Sequence, residues 1–185
     1  AGETTVSIAE FVPPSVQLVF PNGGERLAGT RNIELKVAHP KAAQARLKIY
    51  LNEVLLTTAP NHIVQNTQVT PTTVTFPLDT TKYTSRKEFY RIKVVAELAS
   101  DASIFATVLS AGPFTIDNDK PSLTVTPGNV AGLEQVDKDG TRQDFQVGAT
   151  DMDPAPVITY KLNHVAVASL PTKYPLGTNT LQVTA

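Results

Sequence analysis

Val16-Gln17-Leu18-Val19-Phe20-Pro21-Asn22-Gly23-Gly24-Glu25-Arg26-Leu27-Ala28-Gly29-Thr30, running on to Ile33-Glu34-Leu35-Lys36-Val37, is the stretch that decides the fold of this chain. On either side of Pro21-Asn22-Gly23-Gly24 the apolar residues fall at every second position. That spacing sends one set of side chains to a buried face and the other to water, the pattern of a half-buried antiparallel strand. The break between the two runs is turn chemistry, because proline presets φ while Asn and Gly accept positive φ. Working outward, the same period recurs at Leu47-Lys48-Ile49-Tyr50-Leu51, Val74-Thr75-Phe76 and Tyr90-Arg91-Ile92-Lys93-Val94. Turn residues separate the runs at His39-Pro40, Pro60-Asn61, Thr70-Pro71 and Gly112-Pro113. Short strands between turn signals predict a β-sandwich. The helical candidates are brief, at residues 41–44 and 80–83.

Composition narrows the class. The 185 residues are 41% hydrophobic and 18% charged, enough apolar side chain for a folded core and too much for a disordered chain. A net charge of -1 gives no field to draw nucleic acid or anionic lipid. No apolar run approaches the roughly 18 residues of a membrane span, and no leader-like segment opens the chain, which reads as a mature or excised segment. With Cys at 0 there is no disulfide framework, thiolate nucleophile or Cys-based zinc site. A Thr/Val-rich chain with 14 Pro and 10 Gly leans toward an exported microbial surface protein.

A boundary falls in Phe114-Thr115-Ile116-Asp117-Asn118-Asp119-Lys120-Pro121, where one strand ends and Ser122-Leu123-Thr124-Val125-Thr126 begins another. Further strands are expected at 144–149, 157–162, 166–170 and 180–185, the last one cut by the final residue, Ala185. The expected organisation is an extended arm over 1–14, an Ig-like β-sandwich over 15–117 and a smaller Ig-like module over 118–185. No repeat between the halves is visible beyond shared β character.

Residues 16–37 resemble the "PNGGE…G…I" opening of Ig-like domains of microbial surface proteins, of the fungal cell-wall Kre9/Knh1 type and its prokaryotic relatives. Tyr90-Arg91-Ile92-Lys93-Val94 and Phe114-Thr115-Ile116 are similar to the closing strands of such domains, although Leu27 and Leu35 stand where they often carry Trp. The second half is similar to hyalin-repeat and cadherin-like modules. Ala149-Thr150-Asp151-Met152-Asp153 resembles the cadherin "ATDxD" stretch, Asp117-Asn118-Asp119-Lys120-Pro121 its "DxNDNxP" linker, and residues 174–185 the hyalin "FPxGTxxVxxTA" ending. These resemblances imply cell-surface spacers and adhesins, with calcium stiffening the linker, rather than an enzyme.

The candidate metal site is that junction. Calcium takes about 6–8 oxygens from carboxylates, amides and carbonyls. Asp117, Asn118 and Asp119 offer three such side chains, and Asp151 and Asp153, two apart on an extended segment, point the same way. Against this stands the preference of Asp and Asn for turns. Asp137-Lys138-Asp139-Gly140 resembles the start of an EF-hand, but the twelfth loop position is Gly148, so a hairpin is expected instead. His39, His62 and His164 lie beside turn residues without metal or nucleophile spacing and are expected to be solvated. Tyr50, Tyr83, Tyr90, Tyr160 and Tyr174 could form a glycan platform or simply pack. Lys82, Arg86, Lys87 and Arg91 form a small basic cluster expected to be a solvated turn.

Thr4-Thr5-Val6-Ser7-Ile8-Ala9-Glu10-Phe11-Val12 reads as a strand that Pro13-Pro14 separates from the sandwich. The second module reads as short of its last strand, leaving unpaired backbone and apolar surface. Either a longer protein continues past Ala185, or a neighbouring copy donates its arm through Val6, Ile8, Phe11 and Val12. The expectation is therefore an all-β, non-catalytic structural or adhesive module at the cell surface, with a filament subunit and, after it, the accessory module of a secreted polysaccharide-degrading enzyme as the alternatives. Its expected partners are other copies of itself, neighbouring surface domains or a glycan; nucleic acid is not among them, and the chain does not span a membrane.

Overall fold

The computed structural model describes residues 12–57, 63–127, 136–137, 140–142, 145–152, 156–175 and 179–185. The chain divides between Asn118 and Asp119 into two units, and it is all-β.

The first unit contains β1 (Ser15–Phe20), β2 (Arg26–Leu27), β3 (Thr30–Ala38), β4 (Gln44–Leu51), β5 (Val54–Leu55), β6 (Ile63–Asn66), β7 (Thr72–Asp79), β8 (Arg86–Tyr90), β9 (Ile92–Leu98), β10 (Asp101–Leu109) and β11 (Phe114–Ile116). One sheet runs β1-β3-β7, a second runs β10-β9-β4-β5 with β6 also on β4, and a third, short one runs β2-β11-β8. This is the strand order of an Ig-like sandwich. Alternation fills its core: Ile33, Leu35 and Val37 of β3, Leu47 and Ile49 of β4, and Ile92 and Val94 of β9 are all fully buried. Each such aliphatic side chain contributes about 1.5–3 kcal/mol. Between them Arg46, Lys48, Tyr50 and Lys93 point outward.

Pro21-Asn22-Gly23-Gly24-Glu25 carries the chain from one sheet to a different partner. β1 pairs antiparallel with β3, whereas β2 pairs parallel with β11. The Phe20–Pro21 peptide bond at the departure is cis. The Glu25 carboxylate accepts from the Asn22 and Gly23 N–H groups, both at 2.7 Å, and so closes the turn on itself. The turn then locks to the segment before β11. The Gly112 N–H donates to the Asn22 carbonyl, the Ala111 N–H to Asn22 Oδ1, and the Gly24 N–H to the Pro113 carbonyl. Gly23 has φ +134, and a Cβ there would sit 2.6 Å from the Gly112 nitrogen. Backbone meets backbone at this point, so neither side can yield.

Residues 41–44 form a turn and the start of β4 rather than a helix, and residues 80–82 form one 3-10 turn capped by Asp79. Sequence alternation does not reveal β10, because both of its faces are apolar: Ile104, Ala106 and Val108 turn inward while Phe105 and Leu109 are exposed. Tyr90 closes the far end of the sandwich. Its ring packs against Tyr83 and Phe114, and its hydroxyl donates to the Thr84 carbonyl at 2.5 Å, an arrangement like the tyrosine corner of Ig-like domains.

The second unit contains β12 (Ser122–Pro127), β13 (Val136–Asp137), β14 (Gly140–Arg142), β15 (Phe145–Thr150), β16 (Thr159–Leu162), β17 (Val165–Val167), β18 (Lys173–Tyr174) and β19 (Leu181–Thr184). Its sheets run β12-β15, β13-β14-β18 and β17-β16-β19. The hairpin expected at 137–140 is present, with Asp137 opposite Gly140.

A structural repeat, invisible to the sequence reading, links the two units. β4 and β5 turn through Asn52-Glu53 at φ 45 and 68; β16 and β17 turn through Asn163-His164 at φ 49 and 68. The Asn52 N–H donates to the Arg91 carbonyl while Asn52 Oδ1 accepts from the Arg91 N–H, the residue just before β9. Asn163 makes the same pair of bonds with Thr180, just before β19. Leu51-Asn52-Glu53-Val54 thus corresponds to Leu162-Asn163-His164-Val165, and β9 corresponds to β19. Only the spacing of Leu, Asn and Val carries this likeness in the sequence, and Asn alone among them has a reason to be there: it tolerates positive φ and can bond the neighbouring strand.

Two expected outcomes follow from these contacts. Gly23→Ala lowers the stability of the first unit by about 1–3 kcal/mol, because a Cβ would strike backbone at unfavourable φ. Gly112→Ala, whose Cβ would lie 3.5 Å from Gly23 Cα, stays within about 0.5 kcal/mol; thermal melts of the pair check the asymmetry. Burial raises the Tyr90 hydroxyl pKa above the usual 10.0, so the fold favours the neutral form. Stability from that preference is complete below the ordinary value and is lost as pH rises through the raised one. Tyr90→Phe costs about 1 kcal/mol at neutral pH and diminishes the alkaline loss, read by melting across pH 7 to about 11.

Candidate functional site

Of the five junction residues expected to bind metal, Asp117 and Asn118 belong to the first unit, and Asp119 and Asp151 to the second. Asp117 follows β11. Its N–H donates to the Leu27 carbonyl, and its carboxylate, with a side chain only 1% exposed, pairs with Arg26 on β2. Asn118 ties three segments together. Its Oδ1 accepts from the Gly29 N–H at 2.9 Å, its Nδ2 donates to the Thr80 carbonyl at 2.9 Å, and its N–H donates to Ser85 Oγ at 2.9 Å. The fully buried Thr80 hydroxyl donates to the Gly29 carbonyl at 2.6 Å beside it. The polar run that reads as a cation linker therefore satisfies the open end of the first sandwich, where strand ends leave backbone groups in need of partners.

In the second unit, Asp119 and Asp151 line a shallow cleft of about 370 Å³ with Lys120, Ser122, Thr150 and Met152. Asp151 Oδ1 accepts from the Met152 N–H at 2.8 Å. Asp153 lies outside the described residues. Among the described residues no group of three or more His, Cys, Asp or Glu side chains could hold a metal ion.

The expectation of solvated histidines fails for His39. It is buried, its Nδ1 accepts from the Lys41 N–H at 3.1 Å, and its other ring nitrogen lies 2.9 Å from the Val12 carbonyl. Because Nδ1 is the acceptor, Nε2 carries the proton and donates to Val12. His39 thus fixes the point where the N-terminal arm enters the sandwich. Val12 is the single member of the arm's expected contact set that is described; Val6, Ile8 and Phe11 lie outside the described residues, as does His62. His164 is exposed in the β16–β17 turn.

On the first unit a second cleft, of about 320 Å³, is lined by Asn52, Glu53, Arg91, Ile92, Lys93 and Leu109. Lys93 pairs with Glu53 and lies over the Tyr50 ring, 4.8 Å from its centroid. Lys48 pairs with Glu97, whose second carboxylate oxygen is buried without a partner. Within the basic cluster, Arg86 stacks on Phe89 and Lys82 pairs with Asp79, which agrees with a surface turn. Tyr90 and Tyr174 are buried, and Tyr50, Tyr83 and Tyr160 are half-buried, so packing accounts for these rings better than an exposed platform does. No helix among the described residues is long and apolar enough to cross a membrane.

Asp117→Asn is expected to cost the first unit about 1–3 kcal/mol, because it removes the charge partner of Arg26 from a buried position. Urea unfolding measures it, and an unchanged midpoint would show that the pair does not support the fold.

No protein-family model matches the chain, and no curated protein does. Among solved structures, the fibronectin(III)-like modules of Clostridium thermocellum CbhA are similar to it at 14% identity, with a TM-score of 0.36, over 92% of this chain and 80% of that one.

Proposed function

We propose that the chain is a non-catalytic extracellular module of a microbial cell-surface protein, with a structural or adhesive role. The observation that supports this reading is how the first unit uses its polar residues. His39 holds the chain entry, Asp117 pairs with Arg26, Asn118 and Thr80 bind together the end of the sandwich, and Asn52 fastens a hairpin to its neighbour. These side chains are engaged in holding strands and strand ends. The resemblance of the opening and linker stretches to microbial surface domains points the same way.

Calcium belongs to this proposal through the second unit, where Asp119 and Asp151 share one cleft. Asp117, buried against Arg26, does not enter that ligand set. Calorimetry of the full chain with calcium and with a chelator tests it. Calcium is expected to raise the melting temperature of the second unit's transition only, and Asp151→Ala to abolish the shift. A chelator without effect on the parent removes calcium from the proposal. A polysaccharide-binding screen checks the wider reading: no retention is expected, and firm retention would favour the accessory module of a polysaccharide-degrading enzyme.

A further inference from the structure

The repeated hairpin aligns the two units strand by strand. In the first unit β9 lies between β4 and β10. In the second, β19 holds the place of β9 and β16 that of β4, but among the described residues β19 pairs with β16 alone. No counterpart of β10 is described. The consequence shows in burial. Ile92 and Val94 of β9 are fully buried, whereas Leu181 and Val183, at the matching positions of β19, are half-exposed. Tyr160 and Leu162 on β16, and Phe145, Val147 and Ala149 on β15, alternate correctly yet none is fully covered. Tyr174 is the one apolar side chain buried among the described residues of this unit.

We propose that the edge of β19 away from β16 accepts a further strand, and that this strand is residues 4–12 of a second copy of the chain. The proposal rests on the structural reading above and names the partner. Three observations select the arm. It has nine residues, as many as β10, Asp101–Leu109, which occupies the corresponding place in the first unit. Val6 and Ile8 stand two apart, the spacing with which β10 turns Ile104, Ala106 and Val108 to its core. Pro13-Pro14 lack backbone donors and end any ladder before β1, while His39 holds the carbonyl of Val12, so the arm leaves the sandwich from a fixed point. An added strand gains backbone bonds along the edge and covers the apolar face at alternate positions. Because donor and acceptor are different segments of the chain, each copy can take one neighbour and give to another, and the contact propagates head to tail.

The test compares the full-length chain with its Ile8→Asp variant, by sedimentation velocity over a range of concentrations and by hydrogen exchange at residues 181–184. A synthetic peptide of residues 3–12 is the added probe. The parent is expected to grow in mass with concentration and the variant to stay monomeric, with the first unit melting at the same temperature in both. The peptide is expected to slow exchange at 181–184 of the variant by about tenfold or more, and a peptide carrying the same Asp to have no effect. The proposal is overturned if the parent is monomeric throughout, if the variant assembles like the parent, or if the peptide leaves exchange unchanged. Slow exchange at 181–184 in a monomeric parent also overturns it, because the edge is then filled within one chain. None of these failures touches the structural-module reading, which the polysaccharide screen tests separately.

Discussion

The close approach of Gly23 to Gly112 is the contact on which the first sandwich depends. The backbones can come this near only because Gly23 carries no side chain between them, and the approach brings four hydrogen-bonding groups of the Asn22–Glu25 turn within reach of residues 111–115. Through it, a chain that begins beside β3 ends beside β11. The β1-β3-β7 sheet and the short β2-β11-β8 sheet are thereby linked through the main chain. The charged residue of the turn serves the same end, since Glu25 directs its carboxylate at the turn's own N–H groups, not at solvent ions.

Polar residues elsewhere behave alike. Asn52 and Asn163 each take a left-handed turn position and reach across to the strand beside them. Asn118 and Thr80 stop the open end, and His39 stops the entry. These are short-range solutions to one problem: a small sandwich has many strand ends, and every end leaves donors and acceptors that must be met. Once the ends are met, alternation fills the interior with Val, Ile and Leu.

What the sequence shows and what it conceals follow from this division. Strands buried on one face only, such as β3, β4 and β9, declare themselves by their period, and the all-β class with them. β10 does not, because an edge strand with Phe105 and Leu109 outside has no polar face to alternate with. The role of Asp117-Asn118 was hidden for a different reason. Turn, linker and ligand uses call for the same residue types, and which one applies depends on Arg26, Gly29, Thr80 and Ser85, up to 91 residues away along the chain. The internal repeat was hidden because one Asn and two aliphatic residues suffice to build it.

The parallel pairing of β2 with β11 has a mechanical consequence. Tension applied along the chain enters the first unit ahead of β1 and leaves it after Ile116, so it pulls β2 toward its start and β11 toward its end. Parallel strands loaded this way slide lengthwise. The bonds from Gly24 to Pro113, Thr115 to Glu25 and Asp117 to Leu27 then share the load and give way together, where a pair pulled apart from one end would open bond by bond. Resistance to force is set by the rate of such a rupture and not by the equilibrium stability of the fold. The strand crossover therefore makes the first unit a link suited to bearing load, through some of the shortest strands it contains.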